Sequence, residues 1–289
     1  MNQKVCYLNG EYVPLEEAKV SVMDRGFLFG DGVYEVIPVY GGHLFRLHEH
    51  LNRLDRSLEL IKLDNPLARN AWTVLLNELV TRNSGNDQSI YLQVTRGSAP
   101  KRDHAFPETV SPTVFAMSTP LPAPDTEKLH RGISVATVKD IRWQYCHIKA
   151  ITLLPNVLLK QVAREAGADE AILIRDGYAT EGSASNLFIV DNGQLITPPK
   201  TNLLLPGITR DLLVELALAD QIPLVEETIP EAQLRNAQEV WITSSTREVM
   251  PVVQLDDRPV GNGRPSDVWR RMHEVYSDYK AAVSRGERN

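Results

Sequence analysis

The sequence predicts an α+β protein in two domains, the second of them barrel-like. Three observations carry that expectation. Short runs of alternating apolar and polar residues recur along the chain, with only a few stretches at helical spacing between them. Asn-Gly pairs at 9–10 and 192–193 sit between such runs, the sequence preferred by type I′ hairpin turns. The stretch Pro120–Thr126, PLPAPDT, holds three prolines in seven residues and resists both helix and sheet. It divides the chain into a smaller N-terminal α+β domain (1–119), a linker (120–126) and a larger C-terminal domain (127–289).

Residues 4–13 read as a hairpin about Asn9-Gly10. GDGVYEVIPVYGGHLF alternates well enough for a second, with Gly41-Gly42 at the bend. Leucines at 47, 51, 54, 58 and 60 place a helix over 47–61, with Arg53 and Arg56 among them. Another helix is expected from about Pro66 to Arg82, and strands at 89–97 and 113–119 flank the loop SAPKRDHAFPETVSP. Past the linker, residues 132–143 are strand-like. NVLLKQVAREAG is an amphipathic helix started by Pro155 and stopped by Gly167. EAILIRDG, NLFIVDNG and QLITPP are strands, and a helix opens at Thr209. VEETI and EVWITSSTREVMPVVQLDD return to strand, and the last 24 residues are a helix that frays into polar sequence.

With 43% apolar and 24% charged residues, the chain has the composition of a globular protein able to build a sizeable core. A net charge of −6 without basic runs argues against nucleic acid or an anionic membrane surface as partner. No run is long and apolar enough for a membrane span, and the N-terminus lacks an apolar leader, so the expected compartment is the cytoplasm. The two cysteines, Cys6 and Cys146, show no CxxC spacing, and neither HExxH nor an acidic cluster joins the histidines. No metal is expected.

Lys149 and Glu181 are the candidate reactive pair, although a lysine at this place could simply end a strand at the surface. Lys149 is flanked by Cys146, Ile148, Ala150, Ile151 and Leu153. Apolar surroundings disfavour its ammonium form and favour a nucleophilic amine. Glu181 follows in TEGSASN, at a turn rich in small residues. A Schiff-base lysine with a carboxylate for a pyridinium nitrogen is the pairing that pyridoxal phosphate needs. Three features could hold its phosphate. PGIT at 206–209 opens a helix whose first N–H groups favour an anion, although Thr209 could simply cap its own helix. TSST at 243–246 could donate several hydrogen bonds, although such a run is more often a solvated turn. Arg53 is a bidentate phosphate partner if it points inward, although an arginine on such a helix more usually snorkels or pairs with a carboxylate.

Together the stretches DRGFLFGDGVYEVIPVY, HEHLNRL, QVTRG, DIRW with CHIK, TEGSASNLF, LLPGITRD and ITSSTREVMPV resemble the fold-type IV pyridoxal-phosphate enzymes. Within that group they look most like the D-amino-acid transaminases (D-alanine aminotransferases). The resemblance runs from about residue 5 to residue 260. It implies the two-domain fold of that type, with a smaller N-terminal α/β sandwich-like domain and a larger C-terminal pseudo-barrel that carries the lysine. It implies pyridoxal 5′-phosphate as cofactor, with Lys149 its Schiff-base residue and catalytic acid/base, and with Glu181 on the pyridine nitrogen. Arg53, Ile208 and Thr209 would hold the phosphate, with Ser244 and Ser245 nearby, and Leu205 would pack on the ring.

The substrate signal is shorter. In RGSAPKRDH, Arg102 and His104 have the Arg-x-His spacing that in D-amino-acid transaminases is similar to a carboxylate trap. There it comes from the neighbouring subunit of a homodimer and is completed by the residue matching Tyr34. The loop is one residue longer than the expected pattern, so Lys101 competes with Arg102 for the anchoring place. The resemblance therefore implies ping-pong transamination between a D-amino acid (D-alanine or D-glutamate type) and a 2-oxo acid such as 2-oxoglutarate or pyruvate. The alternative within the fold type is a branched-chain L-aminotransferase, an (R)-amine transaminase or aminodeoxychorismate lyase.

Overall fold

A computed structural model describes residues 3–109 and 111–288; Val110 of the Arg-x-His loop and the ends of the two expected domains (1, 2 and 289) lie outside them. The chain forms two compact units. The first comprises Met1–Pro122, Ile148–Thr152 and Lys280–Asn289, the second Ala123–His147 and Leu153–Tyr279.

The first unit contains β1 (Val5–Leu8), β2 (Glu11–Pro14), α1 (Arg25–Phe29), β3 (Gly32–Tyr40), β4 (His43–Leu44), α2 (Leu47–Leu60), α3 (Arg69–Arg82), β5 (Gln88–Thr95) and β6 (Thr113–Pro120). Its strands form one antiparallel sheet in the order β2-β1-β6-β5-β3-β4. Asn9 and Gly10 both take positive φ (50° and 105°), as a type I′ hairpin requires. Ile37 and Ile90 of the sheet join Leu54, Leu58, Leu76 and Leu79 of α2 and α3 in one buried core. The buried face of α2 also carries His50, Arg53 and Ser57 at spacings of three and four, so polar groups share its apolar stripe.

The second unit contains α4 (Thr126–Arg131), β7 (Ile133–Lys139), α5 (Leu154–Glu165), β8 (Glu170–Arg175), β9 (Tyr178–Gly182), β10 (Asn186–Asp191), β11 (Gln194–Thr197), α6 (Ile208–Ala219), β12 (Leu224–Glu226), β13 (Ile229–Pro230), α7 (Glu231–Asn236), β14 (Glu239–Ser244), β15 (Glu248–Leu255), β16 (Arg258–Pro259) and most of α8 (Asp267–Ser284). Its ten strands run β12-β11-β10-β14-β15-β7-β8-β9-β13, with β16 on β15, in a curled pseudo-barrel sheet. The pairs β11–β12, β15–β7 and β7–β8 are parallel. Leu159 and Ala163 of α5 pack on Ala171 and Leu173 of β8.

Three differences from the sequence reading matter. The lysine segment, expected in the C-terminal domain, belongs to the first unit. Ala150 bridges Val33, the Tyr34 N–H donates to Lys149 O at 2.9 Å and the Ile151 N–H to Gly32 O at 3.1 Å. A side chain on Gly32 would meet Val94 O of β5 at 2.6 Å, so glycine is needed where β3 begins its pairing with β5, and it would also crowd Ile151 Cδ1 at 3.1 Å. Second, Glu181 sits in a strand, β9, rather than at a turn. Third, the helices α1, α4 and α7 are five or six residues long, too short to show a helical period.

Candidate active site

In the first unit, the lysine is held by its backbone. Its N–H donates to Ser57 Oγ at 3.3 Å, and Ile148 and Ala150 on either side are buried in the core. The half-buried Lys149 amine lies 4.1 Å from the centroid of the Tyr34 ring, whose face favours a cation. Tyr34 stacks on Tyr91 with centroids 5.6 Å apart, and Tyr91 donates to Gln93 Oε1 at 2.7 Å. Burial and the neighbouring Tyr34 push the Tyr91 phenol up to about 12.

Alternation along β3 puts Glu35, next to Tyr34, into the core beside α2. There Arg53 grips it with two nitrogens, Nε at 2.8 Å and Nη2 at 2.7 Å, and His50 Nδ1 lies 2.7 Å away. Arg53 points inward, as expected of a phosphate ligand, but its bidentate grip is on this carboxylate. Burial alone would push Glu35 up; the Arg53 charge and the hydrogen bonds from Arg53 and His50 outweigh it and bring the carboxyl down to about 2. Burial lowers His50, so the ring is neutral near pH 7. A carboxylate only accepts, which places the His50 proton on Nδ1.

Because the folded value of Glu35 is depressed from 4.5 to about 2, its contribution to stability is full above pH 4.5 and is lost as pH falls toward 2. Glu35→Gln is expected to cost about 3–5 kcal/mol at pH 7, because it leaves Arg53 buried without this anion. Urea midpoints measured from pH 7 down to pH 2 check this. The gap between wild type and variant should narrow steadily below pH 4.5, and a constant gap counts against the assignment.

In the second unit, Glu181 is buried at the end of β9. Arg142 Nη1 donates to it at 2.5 Å, the Leu205 N–H to both its oxygens at 3.2 and 3.1 Å, and Asn186 Nδ2 at 3.2 Å. Arg142 is itself clamped by Asp140 through Nε and Nη2 at 3.0 and 2.9 Å, and Arg175 joins Asp140 at 3.0 Å. Burial pushes Glu181 above the ordinary carboxylate range, and Arg142 with the Leu205 N–H offsets this only in part. Such a carboxylate gains from a further cationic or N–H partner.

Ile208 and Thr209 form the first turn of α6 and are buried. Its N-cap is Gly207, which supplies no side-chain acceptor to the first N–H groups. Asn186 lies against Gly207, and its Nδ2 also donates to Leu205 O at 2.8 Å. Across the strand pair, Asn186 registers with Thr243, whose buried hydroxyl has no hydrogen-bond partner among the described residues; the Ser185 hydroxyl is in the same state. Ser244 ends β14 and accepts from the Arg247 N–H at 3.3 Å, and Ser245 follows it, half-buried.

Arg102 and His104 are exposed and converge on one ring. The Arg102 guanidinium carbon is 5.0 Å and the His104 ring 5.2 Å from the Phe29 centroid. Lys101 is drawn to Asp103 at 3.1 Å instead. Within the first unit the fold thus gathers Lys149 with Tyr34, and Arg102 with His104. Within the second it gathers Glu181, Leu205 and the start of α6 through Asn186. Sequence reasoning assigned no role to Glu35, His50, Arg142, Asp140 or Asn186. Their only signal was membership of the stretches GVYEV, HEHLNRL, DIRW and TEGSASN.

This fold and these motifs define an aminotransferase. The sequence profile of the amino-transferase class IV family matches residues 32–255, and the chain belongs to that family, whose members here work with pyridoxal 5′-phosphate. It is 42% identical over 264 residues to the D-alanine aminotransferase of Bacillus licheniformis, covering 91% of this chain and 93% of that one. It is 42% identical over 274 residues to the D-alanine aminotransferase of Staphylococcus aureus (strain MW2), covering 94% and 96%. Among solved structures, the branched-chain aminotransferase of Thermoproteus uzoniensis with norvaline superposes with a TM-score of 0.89 at 28% identity, covering 99% of this chain and 97% of that one.

The residues present fit the cofactor. The buried Glu181 carboxylate suits a protonated ring nitrogen. The glycine-capped start of α6 and the unpartnered Thr243 hydroxyl are donors suited to a phosphate dianion. The Lys149 amine, beside a tyrosine ring, suits a planar aldehyde.

Proposed function

We propose that this chain transaminates D-amino acids, D-alanine and D-glutamate among them, against 2-oxo acids such as pyruvate and 2-oxoglutarate. The observation that carries the D-preference is the pairing of Arg102 with His104 on Phe29, which offers a carboxylate a bidentate guanidinium and an imidazole donor. The likeness to D-alanine aminotransferases supports the same reading. The 0.89 superposition on a branched-chain aminotransferase favours a second reading, an L-amino-acid substrate.

Bound pyridoxal phosphate supplies an electron sink for the charge that develops at the substrate Cα. Lys149 would hold it, Glu181 would keep its ring nitrogen protonated, and Leu205 would lie against the ring. Arg53, Ile208, Thr209, Ser244 and Ser245 would take the phosphate. Lys149 Nζ, freed when substrate enters, removes the Cα proton and returns it on the other side of the C–N bond, acting as base and then acid. Glu35 holds Arg53 in place, and Arg142 holds Glu181. Arg102, His104 and Tyr34 orient the carboxylate, and its side of the site decides D against L. Water would then hydrolyse the C–N link, supplying the oxygen of the departing oxo acid while the amino group would stay with the cofactor; a second oxo acid takes that amino group as the same residues run the steps in reverse and water is released. We read the enzyme as a cytoplasmic homodimer in which the Arg102 loop serves the other copy. Among the described residues no helix is long and apolar enough to cross a membrane.

Half-reactions with D-alanine, L-leucine and (R)-1-phenylethylamine test the substrate class. D-alanine should bleach the cofactor band fastest; L-leucine doing so would turn the reading to the branched-chain type. Arg102→Ala should raise KM for D-alanine by about 10–100-fold, the loss of a charge-assisted bidentate pair, with kcat less affected. Lys101→Ala should leave KM alone. The reverse pattern would move the anchoring role to Lys101.

A further inference from the structure

We propose that Arg25 is the positioning residue of the carboxylate-binding loop: it grips the backbone of residues 103–105 so that Arg102 and His104 stand together on Phe29. The inference rests on the reading of Arg102 and His104 as carboxylate partners.

Arg25 opens α1 and is 4% exposed. Its Nε donates to Asp31 Oδ2 at 2.8 Å. Its two terminal nitrogens turn to the loop. Nη1 donates to Asp103 O at 2.6 Å and to Ala105 O at 3.2 Å, and Nη2 to His104 O at 3.3 Å. Three consecutive carbonyls are thus met by one rigid fork of donors, a task a lysine ammonium on a flexible stem does not reproduce. Four residues along the helix, Phe29 presents its ring to Arg25 at 4.9 Å, to Arg102 at 5.0 Å and to His104 at 5.2 Å. Arg25 therefore touches both the backbone between the two trap residues and the surface on which they rest.

The loop needs such a grip. Residues 101–106 are exposed, so burial does not fix the direction of Arg102 or His104. Arg96 secures the next position. It pairs with Asp31 through two nitrogens at 2.8 and 3.0 Å, donates to Ile61 O at 2.7 Å and Lys62 O at 3.1 Å, and stacks on Phe106 at 3.8 Å. Burial raises the Asp31 carboxyl, but Arg96 and Arg25 together bring it below its ordinary value, so it stays ionised between them. Because Asp31 keeps its bidentate Arg96 when Arg25 changes, the chief loss on altering Arg25 is the hold on the loop.

The test uses the holoenzyme with Arg25→Lys, Arg102→Ala and the double variant. Arg25→Lys is expected to raise KM for D-alanine about 10–100-fold, the penalty of a displacement near 1 Å in a positioned group. The visible cofactor band and kcat should change little, and amide exchange should quicken across residues 101–106. In the Arg102→Ala background, Arg25→Lys should add almost nothing to KM, because residues acting as one unit are not additive. Two results overturn the inference: an unchanged KM in Arg25→Lys while Arg102→Ala raises it, or full multiplication of the two effects. An unchanged KM in Arg102→Ala overturns the carboxylate-trap reading itself. Should Arg25→Lys not fold, Phe29→Leu decides, since it removes the shared ring and leaves every Arg25 hydrogen bond. Amide exchange across residues 103–105 should then stay as slow as in the wild type, because the Arg25 grip on those carbonyls remains, and quickened exchange there refutes the proposal.

Discussion

Lys149→Ala is expected to remove the visible absorbance of lysine-linked cofactor and to lower transaminase turnover by at least about 10²–10⁴-fold, the share general acid–base transfer alone supplies. The reason lies in how little else can replace the amine. The Lys149 backbone is fixed on Ser57 and on Tyr34, so no neighbouring amine can be shifted into its place by a local slip of the segment. The fold should survive, because the core contributions of this segment come from Ile148 and Ala150 rather than from the lysine side chain. Spectra, turnover with D-alanine and thermal melting of the purified variant check the three parts separately. Turnover near that of the wild type would remove Lys149 from the mechanism.

The second large effect is expected at Glu181. Glu181→Gln keeps the shape and the acceptor for the Leu205 N–H but removes the charge that pairs with a protonated ring nitrogen. Turnover should fall about 10²–10³-fold, the scale of losing one preorganised electrostatic partner. Stability should behave differently. The folded-state value of Glu181 is raised by burial, so in cofactor-free protein its contribution is fully present at low pH and is lost as pH rises above the ordinary carboxylate range. The neutral amide abolishes that loss, and Arg142 keeps its two bonds to Asp140. Cofactor-free Glu181→Gln should therefore be at least as stable as the wild type at pH 7. A variant that melts far below the wild type while retaining turnover would make Glu181 a structural residue only.

Taken alone, the sequence determined what depends on neighbours along the chain. The hairpin at Asn9-Gly10 follows from local φ preferences, and α2 and α5 follow from leucine and valine spacing with Pro155 as a start signal. The roles proposed for Lys149, Glu181 and the Arg102–His104 pair came less from their residue types than from the resemblance of the whole stretches around them, since a lysine, a glutamate or an exposed arginine has many ordinary places in a fold. The division of the chain was legible only in part. The prolines at 120–124 mark where the first sheet ends, but nothing local announces that residues 148–152 return to it.

Tertiary structure decided which distant residues meet. That Arg53 closes on Glu35, that Arg142 rather than a nearer cation holds Glu181, and that Arg25 clamps carbonyls almost eighty positions away are outcomes of strand register and helix facing. A period of 3.6 or 2 tells which face a side chain takes, not what stands opposite it. The buried charges make the point most sharply. Transfer of a lone charge into the core is too costly to persist, so each must find a partner, and only the folded chain shows which one it found.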